Sequence, residues 1–501
     1  MLGSVINWYF RQRHEDLLQL TSMADENQKN ILEDLVENGR ETAYGLKFGF
    51  KNIRNYADFN RMVPVVEYED LKPWIEKVMQ GEQMQLWPGE VTWFAKSSGT
   101  TSNSAKYIPI SYESLEETHF KGGRDMVTLY CATNPDTKIF QGKALFIGGS
   151  YKPNELNPKT FSGDLSAVLW THLPAWANMR STPDQSIALM ENWEQKLVPM
   201  ITATLNENVT SITGVPTWVA VLFNKMLEIT GKNNIHEIWP NLELFFHGGV
   251  NFEPYRKQFQ EFLPGKMSYL ETYNASEGFF GLQFQQDTHD FTLLTHHGIF
   301  YEFLPLSGTT QECIPLWETQ PNIDYALVIT TNSGLWRYKI GDTIRFSSTK
   351  PYQFKITGRT KSYINAFGEE LVIENADTAI LIACEKTGSS ITDYTAGPVY
   401  MQTGNGGHEW LIEFYKAPEN LAEFSSILDA ELKKCNGDYA AKRLGDLAMH
   451  APIVRQVPSG IFTAWLKNKG KLGVQNKIPR LSNNRDILEE ITAMIQPGRA
   501  D

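Results

Sequence analysis

Phe94-Ala95-Lys96-Ser97-Ser98-Gly99-Thr100-Thr101-Ser102 places five hydroxyl side chains around one glycine, straight after the apolar run Val91-Thr92-Trp93-Phe94. A strand that breaks into such a loop offers backbone N–H groups, hydroxyls and the Lys96 ammonium to an anion. Gly99 has no Cβ, so the chain can bend sharply there and approach phosphate oxygens closely. The same composition also suits a plain polar loop. What decides between the two is the sequence that follows.

Downstream, four apolar runs end in small or polar turns. Ala144-Leu145-Phe146-Ile147 and Leu244-Phe245-Phe246-His247 each run into Gly-Gly. Val209-Thr210-Ser211-Ile212-Thr213 exits through Gly214-Val215-Pro216, and Met267-Ser268-Tyr269-Leu270-Glu271-Thr272-Tyr273 exits through Asn274-Ala275-Ser276-Glu277-Gly278. Helical patterns over 112–130 and 183–208 separate them. This alternation predicts an α/β fold with mostly parallel, helix-covered sheets. Ligands of such sheets collect at the C-terminal ends of the strands, where these turns fall. Residues 291–346 instead give short strands and predict a small antiparallel β unit. From Thr357 onward strand and helix alternate again. A large N-terminal domain over 1–356 and a smaller α+β C-terminal domain over 357–501 are therefore expected. Upstream, residues 4–40 read as two amphipathic helices broken near Thr21-Ser22, with Gly39 as a C-cap.

The bulk composition narrows the classes of function. At 501 residues the chain exceeds what one core organises. Its 46 Lys and Arg against 58 Asp and Glu leave a net charge of −12, so neither nucleic acid nor a membrane surface is an expected partner. Four scattered cysteines without a C-x-x-C pair fit neither a zinc site nor a disulfide framework, and suit a reducing cytoplasm. No uncharged apolar run is long enough to span a bilayer. A cytoplasmic protein acting on small molecules is expected.

Two further stretches belong with the opening loop: Tyr273-Asn274-Ala275-Ser276-Glu277 and Leu335-Trp336-Arg337-Tyr338-Lys339-Ile340-Gly341-Asp342. In that order the three resemble the nucleotide motifs of the adenylate-forming superfamily, which includes acyl-CoA synthetases and firefly luciferase. The closer resemblance is to the auxin-responsive acyl-acid amido synthetases, whose motifs are similar to S-S-G-T-[ST]-S, Y-x-x-S-E and Y-[RK]-x-G-D. Asn476-Lys477-Ile478-Pro479-Arg480 adds a match to that family's Q-Y-K-x-P-R. The resemblance implies ATP and Mg²⁺ as cofactors, a carboxylic acid and an amine as substrates, and a mobile C-terminal domain. By resemblance, Ser97, Ser98, Gly99, Thr100 and Thr101 hold the β- and γ-phosphates. Tyr273 stacks on adenine, Gly248 and Gly249 let the backbone pass the base, and Ser276 sits beside the α-phosphate. Asp342 takes the ribose hydroxyls, Glu277 binds Mg²⁺, and Lys477 stabilises the adenylation transition state, with Lys469 and Lys471 as alternatives. Thr213, Gly214, Val215, Pro216, Trp218 and Phe246 are expected to line the acyl pocket.

Plainer readings stand beside these. Ser276 and Glu277 suit a helix cap and its first-turn carboxylate. Tyr273 suits a strand-end core aromatic, and Asp342 after Gly341 suits a turn. His296-His297 lack a neighbouring acid or cysteine in sequence and are taken as structural or solvent-facing; His247 reads as a core histidine and Arg124 as a surface residue. A serine hydrolase is disfavoured because the first glycine of G-x-S-x-G is missing. Within the adenylating class the rival is an acyl-CoA-type ligase that forms a thioester.

Overall fold

The computed structural model describes residues 2–97, 106–250, 252, 255–284, 290–306, 312–359, 363–401, 406–469 and 478–495. It opens with helices α1 (Leu2–Ser22) and α2 (Ala24–Gly39), parted at Met23. Gly39 is the last helical residue and not a left-handed cap. Its missing side chain serves packing, since a Cβ there would lie 2.5 Å from the Trp336 ring. Strands β1 (Trp93–Ser97) and β2 (Lys106–Ile110) form an antiparallel hairpin that ends on the Ser97–Lys106 pair. The 112–130 pattern resolves into a π-helical segment, Ser114–Phe120, running into α3 (Lys121–Thr133).

The four apolar runs become β3 (Lys143–Phe146), β4 (Val209–Gly214), β5 (Leu244–Gly248) and β6 (Ser268–Ala275). They lie side by side and parallel. Their near-continuous apolar character follows from burial on both faces. Phe245 belongs to one core and Phe246 to the cluster on the opposite face with Tyr130 and Cys131 of α3. Between these strands run helices that include α4 (Trp193–Thr204) and α5 (Pro216–Thr230).

The antiparallel strands do not form a detached unit. A hairpin joins β6 to β7 (Gly278–Leu282), and the same sheet continues through β8 (Phe291–Leu293), β9 (Ile299–Pro305), β10 (Asp324–Thr331), β11 (Tyr338–Thr349) and β12 (Tyr352–Arg359). Twelve strands share it among the described residues. The last part is α+β: helix α6 (Ile373–Thr387), a three-stranded sheet of β13 (Ser390–Tyr400), β14 (Gly406–Lys416) and β15 (Ile453–Val457), and helices α7 (Leu421–Cys435) and α8 (Gly437–Lys442). It packs on the N-terminal part: Tyr255 Oη donates to Ala366 O at 2.8 Å, and Asn365 Nδ2 donates to Gly249 O at 3.1 Å. No helix among the described residues is long and apolar enough to cross a membrane.

Candidate nucleotide and acyl site

The second and third motifs meet in space. Tyr273 lies at the end of β6 and Asp342 within β11, and the tyrosine hydroxyl donates a short hydrogen bond to the Asp342 carboxylate. The Tyr273 ring is held edge-on to Phe280 at 4.9 Å and beside Phe354 at 6.1 Å. Packing thus fixes the ring while the hydroxyl fixes Asp342. A turn reading for Asp342 is excluded, because it sits inside a strand opposite Arg359. A helix-cap reading for Ser276 and Glu277 is excluded as well, because strand β7 follows them. Both are half-buried at the β6–β7 turn.

Beside Tyr273, Gly248 pairs in register with Thr272. A Cβ on Gly248 would lie 2.5 Å from Thr272 O, and Gly249 takes φ +82°. Only glycine suits such close passage and such a backbone angle. Thr213 and Gly214 face Phe246 and His247 across β4 and β5, with Val215 opening α5. Phe246 is buried under α3. Ser97 ends β1 half-buried; Ser98, Gly99, Thr100, Thr101, Lys471 and Lys477 lie outside the described residues. Lys469 is described and pairs with Glu490 at 2.7 Å.

Two residues near the motifs escaped the sequence reading. Lys106, the first residue of β2, is buried, and its ammonium donates to the Tyr338 hydroxyl at 3.3 Å, so the opening loop returns against the third motif. Its place at the end of the Ser/Thr/Gly run was the available signal. His119 Nδ1 donates to Asn274 Oδ1 at 3.2 Å from the π-helical segment. No local pattern marks that contact.

Burial lowers His119 to about 4, against its bond to Asn274, and lowers His247 to about 3, with Arg256 adding to the effect. His247 stacks on Phe252 at 4.2 Å. Both are neutral in the folded chain near neutrality, yet each takes up a proton near pH 6.5 once unfolded. The unfolded chain therefore binds more protons below that pH, and stability falls with falling pH. Each histidine is expected to cost about 2 kcal/mol at pH 5. Urea midpoints at pH 7 and pH 5 should show the loss, and His247→Phe should shrink the difference; an unchanged difference would remove His247 from the account.

The His296-His297 pair finds an acid after all. Both Nε2 atoms donate to Asp125 Oδ2, at 3.2 and 2.9 Å, and Arg13 holds the other oxygen. Ligand atoms of the three lie within 4.8 Å of one another. Lys121 acts on both histidines and Arg13 on His296, a setting that closes the Asp125 charge and repels a divalent ion. Hydrogen bonds from His296 and His297 hold Asp125 far below the usual carboxylate range despite its burial. The cluster is structural. Arg124 remains surface-exposed near Glu116.

Comparison with known proteins agrees with the motif order. The sequence matches the profiles described as the GH3 family N-terminal domain over residues 13–267, central domain over 292–359 and C-terminal domain over 374–486. Indole-3-acetic acid-amido synthetase GH3.3 of Arabidopsis thaliana is 23% identical, with 95% of this chain and 92% of the relative aligned. Jasmonoyl--L-amino acid synthetase JAR4 of Nicotiana attenuata is 24% identical over 66% of this chain and 68% of its own length. Among solved structures, AtGH3.15 acyl acid amido synthetase in complex with 2,4-DB superposes with TM-score 0.61 at 17% identity, covering 96% of this chain and 95% of its own. A 2-hydroxyisobutyryl-CoA ligase superposes with TM-score 0.55 at 12% identity, covering 97% and 93%. These superpositions establish a shared fold.

Proposed function

The chain belongs to the GH3 family, and from that premise we propose an ATP-dependent acyl-acid amido synthetase that adenylates a carboxylic acid and passes the acyl group to the amine of an amino acid. The observation that carries the reading is the Tyr273–Asp342 hydrogen bond beside Gly248, which assembles separate motifs at the C-terminal edge of the parallel strands. In the first half-reaction a carboxylate oxygen attacks the α-phosphorus and the bond to the β-phosphate breaks, releasing pyrophosphate. In the second, the amine attacks the acyl carbon, a C–N bond forms, and AMP and a proton leave. Both steps bring anionic or crowded partners into line, so positioning and charge stabilisation dominate.

The residues suit a nucleotide and a hard cation. Gly248 and Gly249 leave room for a base, Tyr273 offers an aromatic edge, and Asp342 offers carboxylate oxygens to ribose. Glu277 supplies the carboxylate that Mg²⁺ prefers, and the ion when bound neutralises phosphate charge. Ser97 to Thr101 hold the leaving phosphates, Ser276 the α-phosphate, and Lys477 the transition-state charge. Thr213, Gly214, Val215 and Phe246 bound the acyl side. Residues 357–501 act as the mobile domain, turning about Gly358-Arg359 between half-reactions. The free cysteines suit a cytoplasmic location.

With ATP, Mg²⁺ and a broad panel of carboxylic acids, acid-dependent pyrophosphate release is expected. Silence across the panel would overturn the reading. Offering the same adenylate an amino acid or coenzyme A, and weighing the product, separates amide from thioester formation; the Asn476–Arg480 match favours the amide.

A further inference from the structure

Beyond the nucleotide side, the C-terminal ends of β3 and β4 face two buried lysines from different parts of the chain. Lys196 of α4 is 1% exposed and Lys442 of α8 is 6% exposed. Each lies over one ring of the pair Trp193 and Trp218, whose centroids are 4.4 Å apart: Lys196 at 5.6 Å from Trp193, Lys442 at 4.3 Å from Trp218. Lys196 Nζ donates to Gly148 O at 2.5 Å, just past β3, which leaves two of its protons for other acceptors. Among the described residues no hydrogen bond or ion pair holds Lys442 Nζ. It lies 3.2 Å from where a Cβ on Gly368 would stand, a position kept open by glycine at φ +85°.

The acids nearby do not fill the gap. Glu369 is committed, accepting from His408 Nε2 at 2.7 Å and from the Ala366 and Phe367 N–H groups. Asp164 accepts from Ser150 N at 2.8 Å and acts on both lysines from a distance. Asp438, four positions before Lys442, is the acid that acts on it most strongly, and no hydrogen bond or ion pair joins the two. A buried ammonium without an acceptor is strongly disfavoured, and a ligand that supplies one relieves it. Burial accordingly pushes both lysines down to about 8 despite these acids.

We propose that Lys196 and Lys442 form a cradle for a substrate carboxylate that is not the one being adenylated. Resting on the amido synthetase reading, this carboxylate is either the α-carboxylate of the amino acid or a second carboxylate at the far end of the acyl acid. The cradle adjoins the expected acyl residues through Trp218, whose ring lies under Lys442 at 4.3 Å. Because Lys442 comes from the C-terminal part, the site is complete only when that part is seated against the N-terminal strands.

The test is calorimetric titration of the full-length protein with L-amino acids, short α,ω-dicarboxylates and aromatic dicarboxylates, each beside its methyl ester. At least one carboxylate is expected to bind and to lose about 30-fold in affinity both on esterification and in Lys442→Met or Lys196→Met. Unchanged thermal midpoints, or circular dichroism with Lys442→Gln as a second variant, keep folding out of the result. Loss for amino acids places the amine's carboxylate in the cradle, and loss for dicarboxylates places the acid's. No binding by any member, or equal binding in wild type and both variants, overturns the cradle. Binding that behaves as expected without acid-dependent pyrophosphate release would retain the cradle and defeat the synthetase reading.

Discussion

Glu277→Ala is expected to slow acyl-adenylate formation on the order of 10²–10³-fold while leaving the fold intact. Adenylation forces a carboxylate against a phosphate, and the proposed site answers that repulsion with few groups. Glu277 is half-buried at the β6–β7 turn, four positions after Tyr273, whose hydroxyl holds Asp342. Losing its carboxylate removes the hard oxygen ligand for the cation that offsets phosphate charge. Glu277→Gln keeps the size and loses the charge, so it should fall nearly as far. Pyrophosphate exchange at saturating ATP and acid measures the drop. The mutation should change kcat more than the KM for the acid, because the interaction matters most as charge redistributes. Activity within a few-fold of wild type would remove Glu277 from the chemistry. Lys477→Ala tests the opposing cation by the same assay, with Lys469→Ala expected to be mild because Lys469 is engaged by Glu490.

Parts of this arrangement were legible in the sequence because they rest on local rules. Apolar runs ending in glycine gave the parallel strands, since a strand buried on both faces carries no alternation. Motif order located the turn at Ser276-Glu277, whereas the strand that carries Asp342, Tyr338–Thr349, was not legible, since Gly341 ahead of it looks like a turn. What escaped depends on partners distant in sequence. The antiparallel strands from Phe291 onward continue the large sheet only because β7 folds back on β6, and a strand does not encode its neighbour. Asp125 reaches His296 and His297 across more than a hundred and fifty positions. His119 lies on a π-helical turn whose spacing resembles an α-helix over so short a stretch. Lys442 carries no local signal in the sequence, and only its seating on Trp218 makes it unusual.

Arg337 shows how a motif residue can act on stability alone. It stands between Trp336 and Tyr338 in the third motif, yet its side chain turns away from Asp342. Its backbone takes φ +45°, an angle uncommon outside glycine, and this aims the guanidinium into the core. There Nε and Nη2 donate to the two oxygens of Glu302 at 2.8 and 2.7 Å. Nη1 donates to Val63 O and Asn60 O, and Nη2 also to Asn60 Oδ1. Burial works against the guanidinium charge, and the facing Glu302 outweighs it, so Arg337 is held above its ordinary value. Tyr56 Oη donates to Glu302 as well. Arg337→Ala would leave Glu302 fully buried without its counter-charge, and breaking such a pair costs about 3–5 kcal/mol. Arg337→Lys cannot reproduce the two-pronged contact and should cost a substantial part of that. The measurement is the urea midpoint at constant slope. Arg337→Ala with Glu302→Ala should recover part of the loss, because no unpaired charge remains. If the single variant unfolds with wild-type stability, or the double variant is the sum of the two singles, the Arg337–Glu302 ion pair does not hold this part of the sheet to residues 60–63.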